Sequence, residues 1–198
     1  MNSWFVSLLF FVYTLGLAYW QHWSATDIVW SMWFASLVSG YVIILCNIFG
    51  HAADASGGVS NRAGGIGKSL FLLVFFSVHF IGFHFGHSQV MWSFFPLSEQ
   101  QPAFLGLIEQ CAERYWAFIL VALLNVWPLV RSNWQTESEL RFEEPYKAVI
   151  RNHVMIFIVA FASKVVSQQQ LLYLLLVFYF FPFAQLRSLF ARGEPSTD

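Results

Sequence analysis

The chain has 198 residues, of which 58% are hydrophobic, 20% aromatic and only 11% charged. Soluble domains carry about a quarter of their residues as charged side chains, so this composition excludes an ordinary soluble domain and predicts an integral membrane protein. A formal net charge of -1 and the lack of a basic tract exclude a nucleic-acid partner, and two cysteines, Cys46 and Cys111, are too few for a disulfide framework.

Six apolar runs follow one another along the chain, separated by polar breaks. A helix needs roughly 20 mostly apolar residues to cross the hydrocarbon layer, and backbone groups in lipid force such runs to be helical. The predicted spans cover about 4–20, 27–49, 69–97, 103–130, 146–165 and 169–190. We therefore expect an all-α fold, a single six-span transmembrane domain over residues 1–198, with a first span that is retained rather than cleaved.

The fourth run is compound. Four side chains repeat there at helical spacing, namely Phe104, Ile108, Cys111 and Tyr115. Three charged ones fall on other faces, namely Glu109, Glu113 and Arg114. This pattern predicts a short amphipathic segment at the interface that leads into a span near Tyr115, with Glu113 and Arg114 in water.

The distribution of Lys and Arg predicts the direction of the spans, because cytoplasmic loops retain positive charge. Eight such residues fall on one side of the predicted membrane: Arg62, Lys68, Arg131, Arg141, Lys147, Arg151, Arg187 and Arg192. The opposite side has only Arg114 and Lys164. We therefore expect both termini in the cytoplasm.

The stretch SGGVSNRAGGIGKS, which joins spans two and three, ends in Gly-Lys-Ser and resembles a phosphate-binding loop at first sight. The loop motif requires a glycine where this chain has Arg62, and no strand precedes it. We interpret it as a flexible cytoplasmic linker, with Ser69 starting the third helix.

Three histidines lie within nine residues of the third span, in SVHFIGFHFGHSQV. Since each helical residue advances about 100°, His84 and His87 lie at about 140° and 80° from His79, on less than half of the circumference. Gly82 and Gly86 form a Gly-x-x-x-Gly spacing on the adjoining side, which predicts close helix packing.

The fifth span offers a partner for these histidines. It opens with PYKAVIRNH, and a proline at its first turn places His153 roughly 10 Å further in. His79 is predicted roughly 15 Å along its own span, near mid-membrane, whereas His87 lies close to the outer interface. An ionisable residue inside a membrane is costly without a partner, so we expect His79 and His153 to form the centre of a polar site.

Four interpretations of this centre remain open. One is a hydrogen-bonded network that orders the bundle, with Ser77, Asn125 and Asn152 as members. A second is a transition-metal site built from His79, His153, His87 and His84, since imidazole suits zinc, copper and iron. The others are a b-type haem with two axial histidines, given room by Gly82 and Gly86, and a proton or ion relay.

Two of these stretches together resemble a bacterial domain-of-unknown-function family of short multi-span inner-membrane proteins. The resemblance rests on FFSVHFIGFHFGH and FEEPYKAVIRNH, spans roughly residues 27–165, and matches the family at His79, His87, Pro145, Tyr146, His153 and Asn125. The chain departs from it at Ala35 and Ser36, where Glu-Asn is frequent, and at Ala148, where an arginine occurs. The resemblance implies a fold, a bacterial inner-membrane location and a choice of histidines, but no reaction.

The sequence therefore predicts a multi-pass membrane protein with a histidine-lined site that binds a metal or a small ligand. An alternative from another class is a non-catalytic structural or assembly subunit, packed against other membrane chains or a second copy. A haem- or metal-dependent membrane oxidoreductase is the third hypothesis, and whether the chain is an enzyme stays open.

Overall fold

The computed structural model describes residues 3–54, 59–135, 143–181 and 183. Within these ranges the chain is all-helical, with six helices and no strand, as the sequence predicts. The helices are α1 Ser3–Trp20, α2 Ala25–Asp54, α3 Val59–Phe94, α4 Phe104–Gln135, α5 Glu143–Ala162 and α6 Gln168–Leu175. The last of these continues as one wider π-helical turn, Leu176–Phe180.

The third helix begins about ten residues earlier than the apolar pattern predicts. The interpretation of the glycine-rich stretch as a linker up to Ser69 is wrong for residues 59–68, which are helical. Glycine costs a helix about 1 kcal/mol per residue relative to alanine, yet extension of an existing helix needs no new nucleus. The helix formed by the long apolar segment that follows therefore extends back through the glycine-rich turns. Residues 55–58 lie outside the described part of the chain.

Two helices of the described chain are long and apolar enough to cross a membrane by themselves, Ala25–Ile48 of α2 and Gly67–Phe94 of α3. Shorter apolar helices cover Phe5–Trp20 and Gln168–Phe178. On length and composition this is weak evidence for a membrane protein, and it gives neither six spans nor their direction.

Helix α2 is the centre of the bundle and packs against α3, α4, α5 and α6. Its side chains Trp30, Trp33 and Ile44 are among the most completely buried in the described chain. Burial of such residues contributes about 25 cal/mol for each Å² of apolar surface removed from water. Helices α3, α4 and α5 are stabilised largely by the surface of α2, whereas α1 packs against α4 and the π-helical turn.

Helices α2 and α3 run antiparallel. The Tyr41 and Ser77 hydroxyls are 2.6 Å apart about halfway along both helices, and the Trp30 indole N–H donates to the Phe95 carbonyl at 2.7 Å where α3 ends. These two contacts hold α2 and α3 in register.

Helices α3 and α5 are parallel and keep a constant register. The His87 ring lies 6.4 Å from the Phe157 ring, and Lys164 Nζ, just beyond α5, lies 5.3 Å from the centroid of the Phe94 ring. Both pairs are offset by 70 residues (157 minus 87 and 164 minus 94). Residue 153 of α5 therefore lies level with residues 83 and 84 of α3, because both helices rise about 1.5 Å per residue.

The outward faces of the peripheral helices are strongly apolar. Large hydrophobic side chains are exposed on every one of them, including Leu9, Phe71, Val78, Leu124, Ile158 and Phe178. Contiguous apolar surface of this kind is rare on a soluble monomer.

Candidate functional site

The histidine-rich turn of α3 faces two ways. His84 and His87 are buried, 0% and 5% exposed, whereas His79 is exposed and lies against Phe75, with the ring centroids 6.1 Å apart. His84 and His87 differ by only 60° around the helix, while His79 lies a further 80° from His87, which carries it past the edge of the buried face. The structure thus brings His84 and His87 into the interior and leaves His79 outside it.

His84 is held between α3 and α2. Its Nδ1 lies 2.9 Å from the Phe80 carbonyl, and its ring centroid lies 6.0 Å from that of Trp33. Because a carbonyl only accepts hydrogen bonds, Nδ1 is the donor, and in the neutral imidazole the lone pair is then on Nε2. A backbone bond of this type fixes ring orientation and tautomer, as it does for metal-binding histidines.

His87 lies one turn further along α3 and faces α5 through its contact with Phe157. It is three residues from His84, and side chains at this spacing are neighbours on a helix. The prediction placed His87 near the wet interface, but the structure buries it. The two imidazoles are therefore neighbours on the buried side of α3.

The side chain of His153 lies outside the described residues, as does that of Asn152. Its backbone position is described, and the register of α3 and α5 places it level with residues 83 and 84. His79 is level with residue 149, about 6 Å lower along α5. The backbone therefore favours His84 over His79 as the histidine nearest in height to His153.

Within the described residues, no group of three or more His, Cys, Asp or Glu side chains is arranged to hold a metal ion. The side chain of His153 is not among these described residues. The predicted metal site, the haem and the ion relay accordingly stay predictions.

Two further buried polar groups lie on α2, and the Trp33 ring is the one beside His84. Trp33, 1% exposed, has an indole Nε1 with no hydrogen-bond partner in the described chain, and the same holds for the buried Ser36 Oγ one turn along α2. Buried polar atoms are nearly always paired with protein, water or an ion. Within the described residues these two atoms have no such protein partner. Sequence reasoning mentioned Ser36 where the chain departs from the resembled family and did not single out Trp33.

Two other members of the predicted polar network, Ser77 and Asn125, do not lie beside these histidines. Ser77 bonds to Tyr41 about halfway along α2 and α3. Asn125 is exposed on α4.

The predicted close packing at Gly82 and Gly86 is not found between the described helices. Both residues are exposed, and a Cβ added at either would meet nothing within 4 Å in the described chain. The close approach of α2 and α3 occurs at Gly40, where an added Cβ would overlap the edge of the Phe80 ring. Ser36 and Gly40 have a small-x-x-x-small spacing, which predicts close helix packing, and the close approach is observed at Gly40, although its partner is a phenylalanine.

A second polar cluster, which sequence reasoning missed, lies where α2 begins. The Asp27 carboxylate is buried and accepts hydrogen bonds from the Ser24 backbone N–H and hydroxyl, both at 2.8 Å, and from the Tyr115 hydroxyl at 3.0 Å. It also forms an ion pair with Arg114, with Nη2 2.7 Å from Oδ1. The interpretation of Arg114 as simply solvated is wrong, since its half-exposed side chain joins α4 to α2.

The local signal for this cluster is present in the sequence. Ser24-Ala-Thr-Asp27 directly before an apolar run is a capping box, in which the serine and the acidic residue each bond to the other's backbone N–H. The structure contains both bonds, the return one at 3.4 Å. No local pattern indicates that Tyr115 and Arg114 reach the same carboxylate, because that depends on how α4 crosses α2.

Neither curated proteins nor solved structures give a match to this chain. A family model described as "Family of unknown function (DUF6498)" matches residues 2–181. The match includes all six helices together with both buried histidines. The chain therefore belongs to this family of unknown function.

Proposed function

We propose that this chain is a multi-pass integral membrane protein that holds a transition-metal ion or a small polar ligand at a buried histidine centre. The observation that carries the proposal is the burial of two neighbouring imidazoles, His84 and His87, in a bundle whose outer surface is apolar. Burial excludes bulk water from both rings. One metal ion or polar ligand bound between them would interact with both.

Two features support a membrane location: the apolar exterior of the bundle and the uneven distribution of Lys and Arg between its two predicted sides. Apolar side chains cover the outward faces of the peripheral helices, and eight of the ten Lys and Arg residues fall on one predicted side. We propose six spans with both termini in the cytoplasm of a bacterial cell, where the bilayer is the first partner. Alkaline extraction of membranes should leave the full chain in the pellet. A reporter protein that is active only in the cytoplasm should be active when it is fused to either end of the chain.

The proposed ligands are His84, through Nε2, and His87, with His153 as the third. Zinc and related ions need three or four ligands with nitrogen, oxygen or sulfur donors. Two histidines three residues apart on α3 and a third on α5 would supply three nitrogen donors. A water or an external ligand would complete the set.

Elemental analysis and an absorption spectrum of the detergent-purified chain test this site. We expect about one metal ion per chain, lost in His84→Ala and His87→Ala and retained in His79→Ala, which alters an exposed histidine of the same helix. An equal loss in His79→Ala would show that the centre is assigned to the wrong residues. A Soret band in place of metal would select the b-type haem and an oxidoreductase, and the absence of both would exclude a metal centre.

A second candidate is a non-catalytic assembly subunit. Gly82 and Gly86 are exposed on α3 with open space above them, and this spacing allows the backbone of another helix to approach closely. Gly82→Leu would then dissociate a complex or a homodimer seen in the wild type by light scattering. An unchanged mass would argue against this function.

A further inference from the structure

A groove between α5 and α6 opens on the outer surface of the bundle. Its volume is about 510 Å³, within the range of ligand pockets. Its described lining is apolar except at one end and includes Val154, Ile158, Ala162, Leu171 and Phe178. Several of these side chains are exposed, so the described helices leave the groove uncovered.

Among the described residues that line the groove, the only charged one is Arg151, at the end nearer the proposed cytoplasmic side. Helical side chains lean toward the helix N-terminus, so its guanidinium can extend toward the cytoplasmic interface while its stem stays in the groove. Guanidinium has five N–H donors in a planar fork and pairs strongly with phosphate, even where one donor also serves a neighbour in the chain.

The groove runs from the proposed cytoplasmic half of α5 past the middle of the membrane. Arg151 and Ala162 are eleven residues apart in α5, which corresponds to roughly 16 Å. The hydrocarbon layer is about 30 Å thick, and Arg151 lies five residues inside the predicted span 146–165, or roughly 8 Å. A cation whose side chain extends back to the aqueous interface and an apolar channel beside it together match the two parts of a phospholipid.

We propose that this groove binds one anionic phospholipid of the cytoplasmic leaflet, with its phosphate on Arg151 and an acyl chain along α5 and α6. This site rests on the proposed membrane setting and orientation, but not on the histidine centre. Its headgroup preference follows from charge, since the described part of the lining has a cation and no carboxylate.

Native mass spectrometry of the full chain, given equal amounts of phosphatidylglycerol and phosphatidylcholine with identical acyl chains, tests the proposal. We expect one phosphatidylglycerol to be retained in about tenfold preference, a ratio typical of one charge-assisted contact. Arg151→Gln should remove this preference and Arg151→Lys should restore part of it. Arg131→Gln, which removes an exposed cation of α4 outside the groove, should leave it unchanged.

A second variant fills the groove without altering charge. Val154→Trp should reduce the retention of both lipids. Equal retention of the two lipids by the wild type, an equal effect of Arg131→Gln, or full retention by Val154→Trp would each overturn the site, as would a second copy of the chain in the groove, seen as a dimer without lipid. Membrane extraction and metal content, measured on the same samples, report separately on the proposed function.

Discussion

Helices α2 and α3 have almost the same hydropathy but opposite positions in the bundle. The best 18-residue windows have mean hydropathies of 1.9 and 1.8, yet 72% of that window is buried in α2 and only 17% in α3. Hydropathy alone therefore predicts that both helices are shielded from water, but it does not predict which of them is buried inside the bundle.

The difference lies in the small and polar residues. Helix α2 buries Asp27, Ser31 and Ser39 and has Gly40 against a ring of α3. These groups need partners or close neighbours, which only the interior of a bundle supplies. Helix α3 has a broad face of large apolar side chains, and buries polar ones only on the side that meets α2 and α5.

The largest expected loss of stability follows from a substitution at the N-terminal end of α2. Asp27→Ala removes the cap of α2, the acceptor for the Tyr115 hydroxyl and the partner of Arg114. Breaking a buried pair costs 3–5 kcal/mol, and the 52% exposure of the Arg114 side chain puts the loss at the low end, about 3 kcal/mol. Reversible unfolding in mixed detergent measures it. Glu113→Ala, an exposed carboxylate on α4, is the control and should change stability by less than about 0.5 kcal/mol.

The same substitution in the two helices gives the sharpest test of their difference. Gly40→Ala forces a methyl group into the Phe80 ring and should destabilise the fold by about 2 kcal/mol. Gly82→Ala on α3 has open space and should be neutral or slightly stabilising, because alanine is the better helix former. Thermal melts of both variants in one detergent provide the comparison, and equal losses would contradict the packing described for α2.

The smallest expected effect is in the turn that leads into α2. His22 has a backbone φ of 51°, in the left-handed region that costs a residue with a side chain about 1 kcal/mol. His22→Gly should therefore raise the free energy of unfolding by up to about 1 kcal/mol, whereas His22→Ala keeps the strain and should not. A gain in both variants would show that the imidazole, rather than the backbone, is unfavourable there.

The sequence predicted the helices well and the site only in part. The apolar runs predicted the six helices. The main error is at the start of α3, where the glycine-rich residues were predicted to be a linker but form the first turns of the helix. The histidine turn was recognised from its composition. The choice of His79 was based on depth alone, and depth does not tell which face of α3 meets α2.

The Asp27 cluster also shows that a sequence pattern predicts local contacts but not contacts between helices. The capping box is local and can be read from residues 24–27, but the approach of Tyr115 and Arg114 joins positions 88 and 87 residues apart. Helical periodicity relates residues within one helix, and contains no information on the rotation of one helix against another.

The sequence by itself determined that this chain forms apolar helices with few charges and a histidine-rich turn, because composition and spacing act locally through water exclusion and backbone hydrogen bonding. Only the tertiary structure decided that α2 is central, that His84 and His87 rather than His79 face inward, and that Arg114 reaches Asp27. Those outcomes depend on which helix faces pack together, and packing is a property of several helices at once.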